Sequence, residues 1–349
     1  MSTPVTMQQI AERLGMSQST VSRVLGGRSK ETWGSMASRA AHIRRTAAEM
    51  GYRKNVAAAS TRRGRFGTVA FMIATQWGRS SLNARLIDAL HDVLEERKLQ
   101  LSVTRPRAMP DGAISIPRTL RYLMADGLLI QHCNALPRHV IDAVDAHPCP
   151  AIWLERRHEQ DSVSHDHAAA SALLTRKLLD LRHRRVALVD YYEPIHYGQV
   201  PHLDPAIQAE RRGGYVEAMR AAGLTPRVID MKTYAGVSND WLELSRHWLA
   251  DPADRPTAVI QCEGLQTVTA ALEHGLRIPR DLSLAAFIRD PAEDQTGLFV
   301  SGVYDNPAAV AEAAVDMLLQ KIDFLGVVLP SRRVQHVFHE GRTMAPVGR

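Results

Sequence analysis

The residue set with the most specific chemistry lies within VTMQQIAERLGMSQSTVSRVL, residues 5–25. Gln18, Ser19, Ser22 and Arg23 fall together on the outer face of a short helix. A polar outer face on the second of two linked helices is what a helix–turn–helix needs to reach base edges in the major groove. Such a face works only if it is held rigidly, and the flanking residues supply the means. Thr6 with Gln9 three positions later forms a capping box, in which each side chain satisfies the other's backbone amide. Met7, Ile10, Ala11 and Leu14 recur at helical spacing, and Gly15 closes the segment as a left-handed terminus. Ser17 is a favourable N-cap for the second helix, whose inward residues are Val21, Val24 and Leu25. The same pattern also suits a surface helical hairpin, so the surroundings must decide.

Those surroundings are strongly basic. The chain has 349 residues and net charge +6; residues 1–66 hold twelve Lys/Arg against three acids, net +9, and the remainder is net −3. A basic head on a mildly acidic body is the electrostatic footprint of a phosphate-binding module. A third helix follows, with Ala40, Ile43, Ala47 and Met50 inward and Gly51 as its cap. Next comes YRKNVAAASTRRGR (52–65), where Asn55 caps a segment to about Thr61 that is too short to be helical alone. It is either a flexible tether or a segment that becomes helical only when DNA and a second subunit supply contacts.

From Thr68 the pattern changes to short apolar runs at 68–74, 99–104, 127–131 and 151–155, alternating with helical stretches that include Leu82–Arg97. It restarts after Ala168, with strands at 185–190, 227–230, 258–261 and 282–287. Alternation of this kind gives parallel sheets with right-handed crossovers. Two successive runs give an α/β fold class: an all-α helix–turn–helix head plus a two-lobed, doubly wound core. Ligands of such sheets sit beyond the carboxyl ends of the strands, here between the lobes. The expected domains are a head at 1–52, a hinge helix and linker at 53–66, and a core at 67–349. Lobe 1 is expected at about 67–165 and 299–325, and lobe 2 at about 166–298 and 326–345.

Aromatic content of 5% argues against stacking platforms for single-stranded nucleic acid. The three cysteines, Cys133, Cys149 and Cys262, have no metal spacing and read as core residues of a reducing compartment. No signal region or membrane-length apolar run occurs, so a cytoplasmic protein is expected. No GxxxxGK[ST], GxSxG or HExxH is present, so no catalytic residue and no cofactor is expected.

The chain resembles the lactose/galactose-repressor (LacI/GalR-type) family of bacterial transcription regulators over nearly its whole length. IAERLGMSQSTVSRVL and EMGYRKN (49–55) carry the head resemblance. MADGLLI (124–130), LRHRRVALV (181–189), ERRGGYVEAMRAAGL (210–224), RPTAVIQCE (255–263) and HGLRIPRDLSLAAF (274–287) carry the rest. The resemblance implies a DNA-binding head, a hinge helix and a core like periplasmic sugar-binding proteins. It implies a homodimer on double-stranded operator DNA, controlled by a small effector. Gln18, Ser19 and Arg23 match base-reading positions; Arg suits guanine O6/N7 and Gln adenine N6/N7. Thr6, Ser17, Thr20, Ser22 and Asn55 match or neighbour positions that hold phosphates, and Val56, Ala59 and Thr61 complete the implied hinge contacts. Thr61 stands where the family usually has a wedging leucine, and Lys54 where it has a proline, which weakens the case for an apolar wedge that kinks DNA.

In the core the resemblance implies effector contacts from Glu155, Arg211, Tyr234 and Glu263: acids, an arginine and an aromatic suited to hydroxyl-rich ligands. Ile288 and Arg289 replace the family's usual Asp pair, and Tyr304 a usual Gln. Loss of a hydroxyl acceptor and gain of a cation point to an acidic or phosphorylated sugar, with Arg79 and Arg289 as partners. His165-Asp166-His167 has metal-ligand residue types but falls where the family starts a helix with Asp166, so no metal is expected from the triplet. No heptad tail follows HEGRTMAP, which favours a dimer. The rival reading is a cytoplasmic sugar sensor acting through a protein partner; the basic head and Arg23 disfavour it.

Overall fold

The computed structural model describes residues 5–26, 34–52, 65–73, 75–76, 79–80, 83–108, 114–115, 117–122, 124–131, 138–155, 159–190, 205–230, 240–262, 265–288, 291 and 297–347. Its contacts divide into two units, 1–66 and 67–349. Among the described residues no helix is long and apolar enough to cross a membrane.

The first unit holds α1 (Met7–Leu14), α2 (Gln18–Leu25) and α3 (Gly34–Glu49). Both halves of the capping box form, Gln9 N donating to Thr6 Oγ1 at 3.3 Å and Thr6 N to Gln9 Oε1 at 2.9 Å. Gly15 turns the chain at φ +59, in the left-handed region that its missing side chain permits. Ile10, Ala11, Val21, Val24, Ala40, Ile43 and Ala47 bury one small core, with Leu14, Leu25 and Met50 at its margin.

The second unit contains two six-stranded sheets. The first is built from β1 (Thr68–Met72), β2 (Gln100–Thr104), β3 (Gly127–Gln131), β4 (Ala151–Leu154), β5 (Ser162–His165) and a late strand, Arg332–Val334. Their order is Arg332–Val334, β5, β4, β3, β1, β2, all parallel. Alternation along β1 sends Val69 and Phe71 to one face, against α4 (Ala84–Glu96), and Ala70 and Met72 to the other, against α5 (Arg138–Asp145). The helices on both faces explain why the strands read as continuous apolar runs.

The second sheet follows the same plan. Beyond α6 (His167–Asp180) come β6 (Val186–Val189), α7 (Pro205–Ala221), β7 (Arg227–Ile229), α8 (Trp241–Ala250), β8 (Ala258–Cys262), α9 (Leu265–Glu273), β9 (Ser283–Ile288) and β10 (Ser301–Tyr304). Their order is β7, β6, β8, β9, β10, with a last strand, Val337–His339, antiparallel to β10.

Two parts of the expected lobe division are corrected. Residues 299–304 were placed in lobe 1, yet β10 pairs with β9 in the second sheet. Gly302 permits the approach: a Cβ there would sit 1.9 Å from the Ala286 carbonyl oxygen. Residues 326–345 were placed in lobe 2, yet Arg332–Val334 pairs with Val163–His165, and Val334 is buried in the first lobe's core. The chain therefore crosses between lobes at 165–167, 304–307 and 334–337. Helix α10 (Pro307–Asp323), between the last two, does return to the first lobe, burying Val310, Ala314 and Leu318 there.

Helices α6 and α7 meet at one very close point. A Cβ on Gly214 would lie 2.0 Å from the Ala168 carbonyl oxygen, whereas one on neighbouring Gly213 meets nothing within 4 Å. Gly214→Ala must push the helices apart and should cost roughly 1–3 kcal/mol. Gly213→Ala should instead stabilise by up to about 1 kcal/mol, because glycine is a poor helix former. Chemical denaturation of the two variants checks this; equal effects would contradict the assigned contact.

Candidate functional site

In the first unit, Gln18, Ser19 and Arg23 are exposed on α2, while Val21 and Val24 are buried beneath them. Thr6, Ser17 and Thr20 lie at helix starts with their hydroxyls already engaged. Ser17 Oγ accepts from Thr20 N at 3.3 Å and is within 3.0 Å of Ser19 Oγ and 2.9 Å of Thr20 Oγ1. These bonds fix the first turn of α2 from which Gln18 and Ser19 project. Ser22 is half-buried. Asn55, Val56, Ala59 and Thr61 lie outside the described residues, as does Lys54.

In the core, a small recess opens at the carboxyl ends of the second sheet's strands. It is lined by Leu188, Val189, Asp190, Gln208, Arg211, Gln261, Cys262 and Phe287. Arg211 reaches it from α7, stacking its guanidinium 3.9 Å from the Phe287 ring centre and donating from Nη1 to Cys262 Sγ at 2.7 Å. Its Nε is buried without a partner, and among the described residues no carboxylate pairs with it. The next residue, Arg212, differs: it donates to Asp190 at 2.9 Å and Asp230 at 3.0 Å, tying α7 to the ends of β6 and β7. Burial lifts the Asp190 carboxyl above its ordinary value even though Arg212 pulls it down.

The lobe crossings bring a second polar group together. His165, at the end of β5, donates from Nδ1 to Glu155 Oε1 at 2.8 Å, and its Nε2 accepts from Asn306 N at 2.9 Å. His336, in the third crossing, lies 4.7 Å from His165 and 4.8 Å from His167 between ring centres, and meets Phe287 edge-on at 6.3 Å. Both ring nitrogens of His167 and of His336 are buried without a hydrogen-bond partner. Burial, reinforced by nearby Arg211 and the neighbouring histidines, holds both well below the usual imidazole value. Arg333 spans the lobes, donating to the His165 carbonyl at 3.1 Å and to both Glu210 oxygens at 2.9 Å.

Of the core residues expected from the sequence, the structure describes Glu155, Arg211 and Tyr304 in full. Glu155 sits at the crossing against His165, with its backbone at φ +61. Tyr304 ends β10, half-buried, with the Arg85 guanidinium 5.3 Å from its ring centre. Arg79 lies on a two-residue strand, and its side chain is outside the described residues, as are Tyr234, Glu263 and Arg289 entirely. Asp166 caps α6, accepting from Ala169 N at 2.9 Å, as the resemblance implied. Sequence reasoning missed Asp190, Arg212, Gln261, Phe287, Asp305 and His336. The first four stand at strand ends or beside Arg211, a signal available in the sequence. Asp305 and His336 had no such signal, because only the crossings bring them to His165.

Residues 175–339 match the periplasmic binding protein-like domain family. The chain is 22% identical over 324 residues to the HTH-type transcriptional repressor PurR of Vibrio atlanticus, covering 91% of this chain and 92% of that protein. Among solved structures it superposes on the Lac repressor dimer bound to operator and the anti-inducer ONPF, with TM-score 0.70, 19% identity and coverage of 98% of this chain and 100% of that one. It also superposes on a complex of the transcriptional regulator CelR with cellobiose, with TM-score 0.58, 20% identity and coverage of 97% and 99%.

The cap on α2 gives a direct check of how the exposed face is held. Ser17→Ala should cost about 1 kcal/mol, seen as roughly fivefold faster hydrogen exchange over residues 21–25. The thermal midpoint of the core should not move. Unchanged exchange over 21–25 would mean that tertiary packing alone holds the helix.

Proposed function

We propose that this chain, which belongs to the LacI/GalR-type family of transcriptional regulators, represses transcription as a homodimer on a palindromic operator and is controlled by an acidic or phosphorylated sugar between its lobes. Its relatives are transcriptional regulators rather than enzymes, and the work belongs in the cytoplasm, where operator DNA is.

The observation that carries the DNA-reading half is the exposed trio on a capped helix whose opposite face is buried. In the proposed complex Arg23 takes a guanine edge through two hydrogen bonds, and Gln18 and Ser19 read neighbouring bases. Thr6, Ser17, Thr20, Ser22 and Asn55 set register on the phosphates, and the net charge of +9 over residues 1–66 supplies salt-dependent affinity. Val56, Ala59 and Thr61 complete the contacts from the hinge. A palindrome needs two heads, and the superposed Lac repressor is a dimer on its operator. The edge strand β2 leaves Val103 49% exposed, and Tyr122 and Met124 of the same lobe are also exposed, as a surface that meets a second copy would be.

The effector half rests on Arg211. A guanidinium that meets sulfur and an aromatic face, with a buried Nε unpartnered, suits a ligand that brings its own negative oxygens. Arg79 and Arg289 would add charge, and Glu155, Tyr234, Glu263 and Tyr304 would take hydroxyls and sugar faces. Closure on the ligand reorients the lobes and changes operator affinity, by roughly 5–150-fold if coupling has its usual size.

Two measurements check the proposal. Arg23→Ala should lose about 1–3 kcal/mol of specific operator binding, while retaining weak, salt-sensitive binding to random duplex. Unimpaired specific binding would remove α2 as the reading helix. In thermal-shift and calorimetric titrations, sugar phosphates or sugar acids should stabilise the protein, and Arg211→Met should abolish the effect. Tight binding of neutral sugars alone would overturn the acidic-effector reading and leave the DNA half standing.

A further inference from the structure

His165, Asp305 and His336 at the lobe crossings form a constellation that neither DNA reading nor effector binding uses, and Glu155, assigned above to effector hydroxyls, lies against it. His165 Nδ1 lies 3.9 Å from Asp305 Oδ1, and His336 Nε2 lies 3.5 Å from the same oxygen. Glu155 Oε1 is 2.8 Å from His165 Nδ1. One ligand atom each from His165, Asp305 and His336 falls within 4.8 Å of the other two. We propose that these groups bind a divalent transition-metal ion of the zinc class, with His165 Nδ1, His336 Nε2 and Asp305 Oδ1 as ligands and Glu155 as the fourth.

Geometry, charge and burial each support the assignment. Tetrahedral zinc with bonds of about 2.0–2.1 Å to imidazole nitrogen and carboxylate oxygen separates its ligand atoms by roughly 3.3 Å. The 3.5 and 3.9 Å separations need to close by about 0.2 and 0.6 Å. The His165–His336 pair, within 4.8 Å, closes further, and the 2.8 Å Glu155–His165 pair opens slightly as its proton leaves. Two carboxylates and two neutral imidazoles present a charge of −2 to a divalent ion, and imidazole nitrogen with carboxylate oxygen is a donor set such ions accept. The side chains of His165 and His336 are 3% and 2% exposed. His336 is the independent pointer. Both its nitrogens are buried without a formed hydrogen bond, although Asp305 and the Asp166 backbone face it. A buried imidazole left unsatisfied costs free energy that a metal bond would recover.

The hydrogen bonds also say what occupancy would change. His165 Nε2 accepts the Asn306 amide, so the proton of the neutral ring resides on Nδ1, shared with Glu155. A metal at Nδ1 displaces that proton to Nε2, where it would face the Asn306 N–H, and the amide must turn away. Asn306 is the N-cap of α10, its side chain accepting from Ala309 N at 3.2 Å. Binding therefore shifts the second lobe crossing rather than filling a rigid cage. The four residues come from both lobes and all three crossings: Glu155 and His165 end β4 and β5, Asp305 follows β10, and His336 precedes the final strand.

The test uses chelator-treated full-length protein and cobalt(II), with zinc as competitor. One equivalent of cobalt per chain should give the visible bands of a four-coordinate nitrogen–oxygen site, lost on adding zinc. His336→Ala and Asp305→Asn should each weaken binding at least tenfold, whereas His91→Ala, at an exposed histidine, should not. If His336→Ala does not fold, Asp305→Asn and Glu155→Gln carry the comparison. Hydrogen exchange at the start of α10 should quicken on saturation. Absence of a saturable spectrum, or a spectrum that survives both His336→Ala and Asp305→Asn, overturns the proposal; the sequence has 15 histidines, and surface ones would then be responsible. Neither readout involves DNA or effector, so failure here leaves the regulatory reading untouched.

Discussion

Three passages of chain join the two lobes, and one buried imidazole holds two of them in register. His165 ends the last strand built before the chain first leaves lobe 1, donates to Glu155 beside it, and accepts the amide of Asn306, where the chain returns. Its carbonyl takes a hydrogen bond from Arg333 next to the third passage, and Arg333 in turn clasps Glu210 on α7 of the other lobe. Each lobe is a sheet covered on both faces and does not bend easily. Relative movement is therefore confined to small backbone rotations at three adjacent points, the usual basis of hinge closure.

The hinge is built from polar groups where an apolar seam would be more stable. His167 and His336 bury four ring nitrogens without partners, and Arg211 a fifth nitrogen nearby. A buried polar atom left unpaired costs about 1–3 kcal/mol, so such a cluster is a poor way to stabilise a fold. Two arrangements would be close in energy if the same atoms gained partners when a lobe turned. Purely hydrophobic packing gives no such discrete alternative. The lobes themselves follow the opposite rule, with apolar helices on both faces of each sheet. Apolar packing and buried polarity are thus segregated into different parts of the same unit.

What could be read from the sequence was what is local. Thr6, Gln9, Gly15 and Ser17 act within a few residues of one another, so their caps and a polar outer face of Gln18, Ser19, Ser22 and Arg23 followed from spacing, with Ser22 proving half-buried. The choice of Gln18, Ser19 and Arg23 as readers came instead from the family resemblance. The strands followed from apolar runs between helical stretches. Membership of a sheet did not, since an apolar run carries no record of which sheet it joins. Ser301–Tyr304 was set in the wrong lobe for that reason, and its pairing depends on Gly302 fitting against Ala286. Arg332–Val334 is only three residues long and mostly exposed, too short for a periodic signal. The convergence of His165, Asp305 and His336 spans more than 170 positions and exists only because three crossings meet. In the triplet 165–167 the sequence reading identified Asp166 as a helix cap, but could not see that His165's partners lie elsewhere in the chain.

The adjacent arginines of α7 illustrate why residue type alone could not settle roles. Successive residues on a helix point about 100° apart, so Arg211 and Arg212 face different neighbours although the chain writes them identically. Arg212 meets Asp190 and Asp230 at the ends of two strands and fixes the helix against the sheet. With those acids taken, Arg211 is left to cysteine sulfur and the Phe287 face. The exclusion is as important as the contact: a carboxylate within reach of Arg211 would compete with any anionic ligand for the same donors. By holding Asp190 and Asp230, Arg212 leaves Arg211 with no carboxylate partner among the described residues, and the Phe287 ring that Arg211 stacks on also lies 6.3 Å from His336, edge-on. Charge at the recess and polarity at the hinge therefore share one aromatic ring, Phe287, alongside the direct field of Arg211 on His167 and His336.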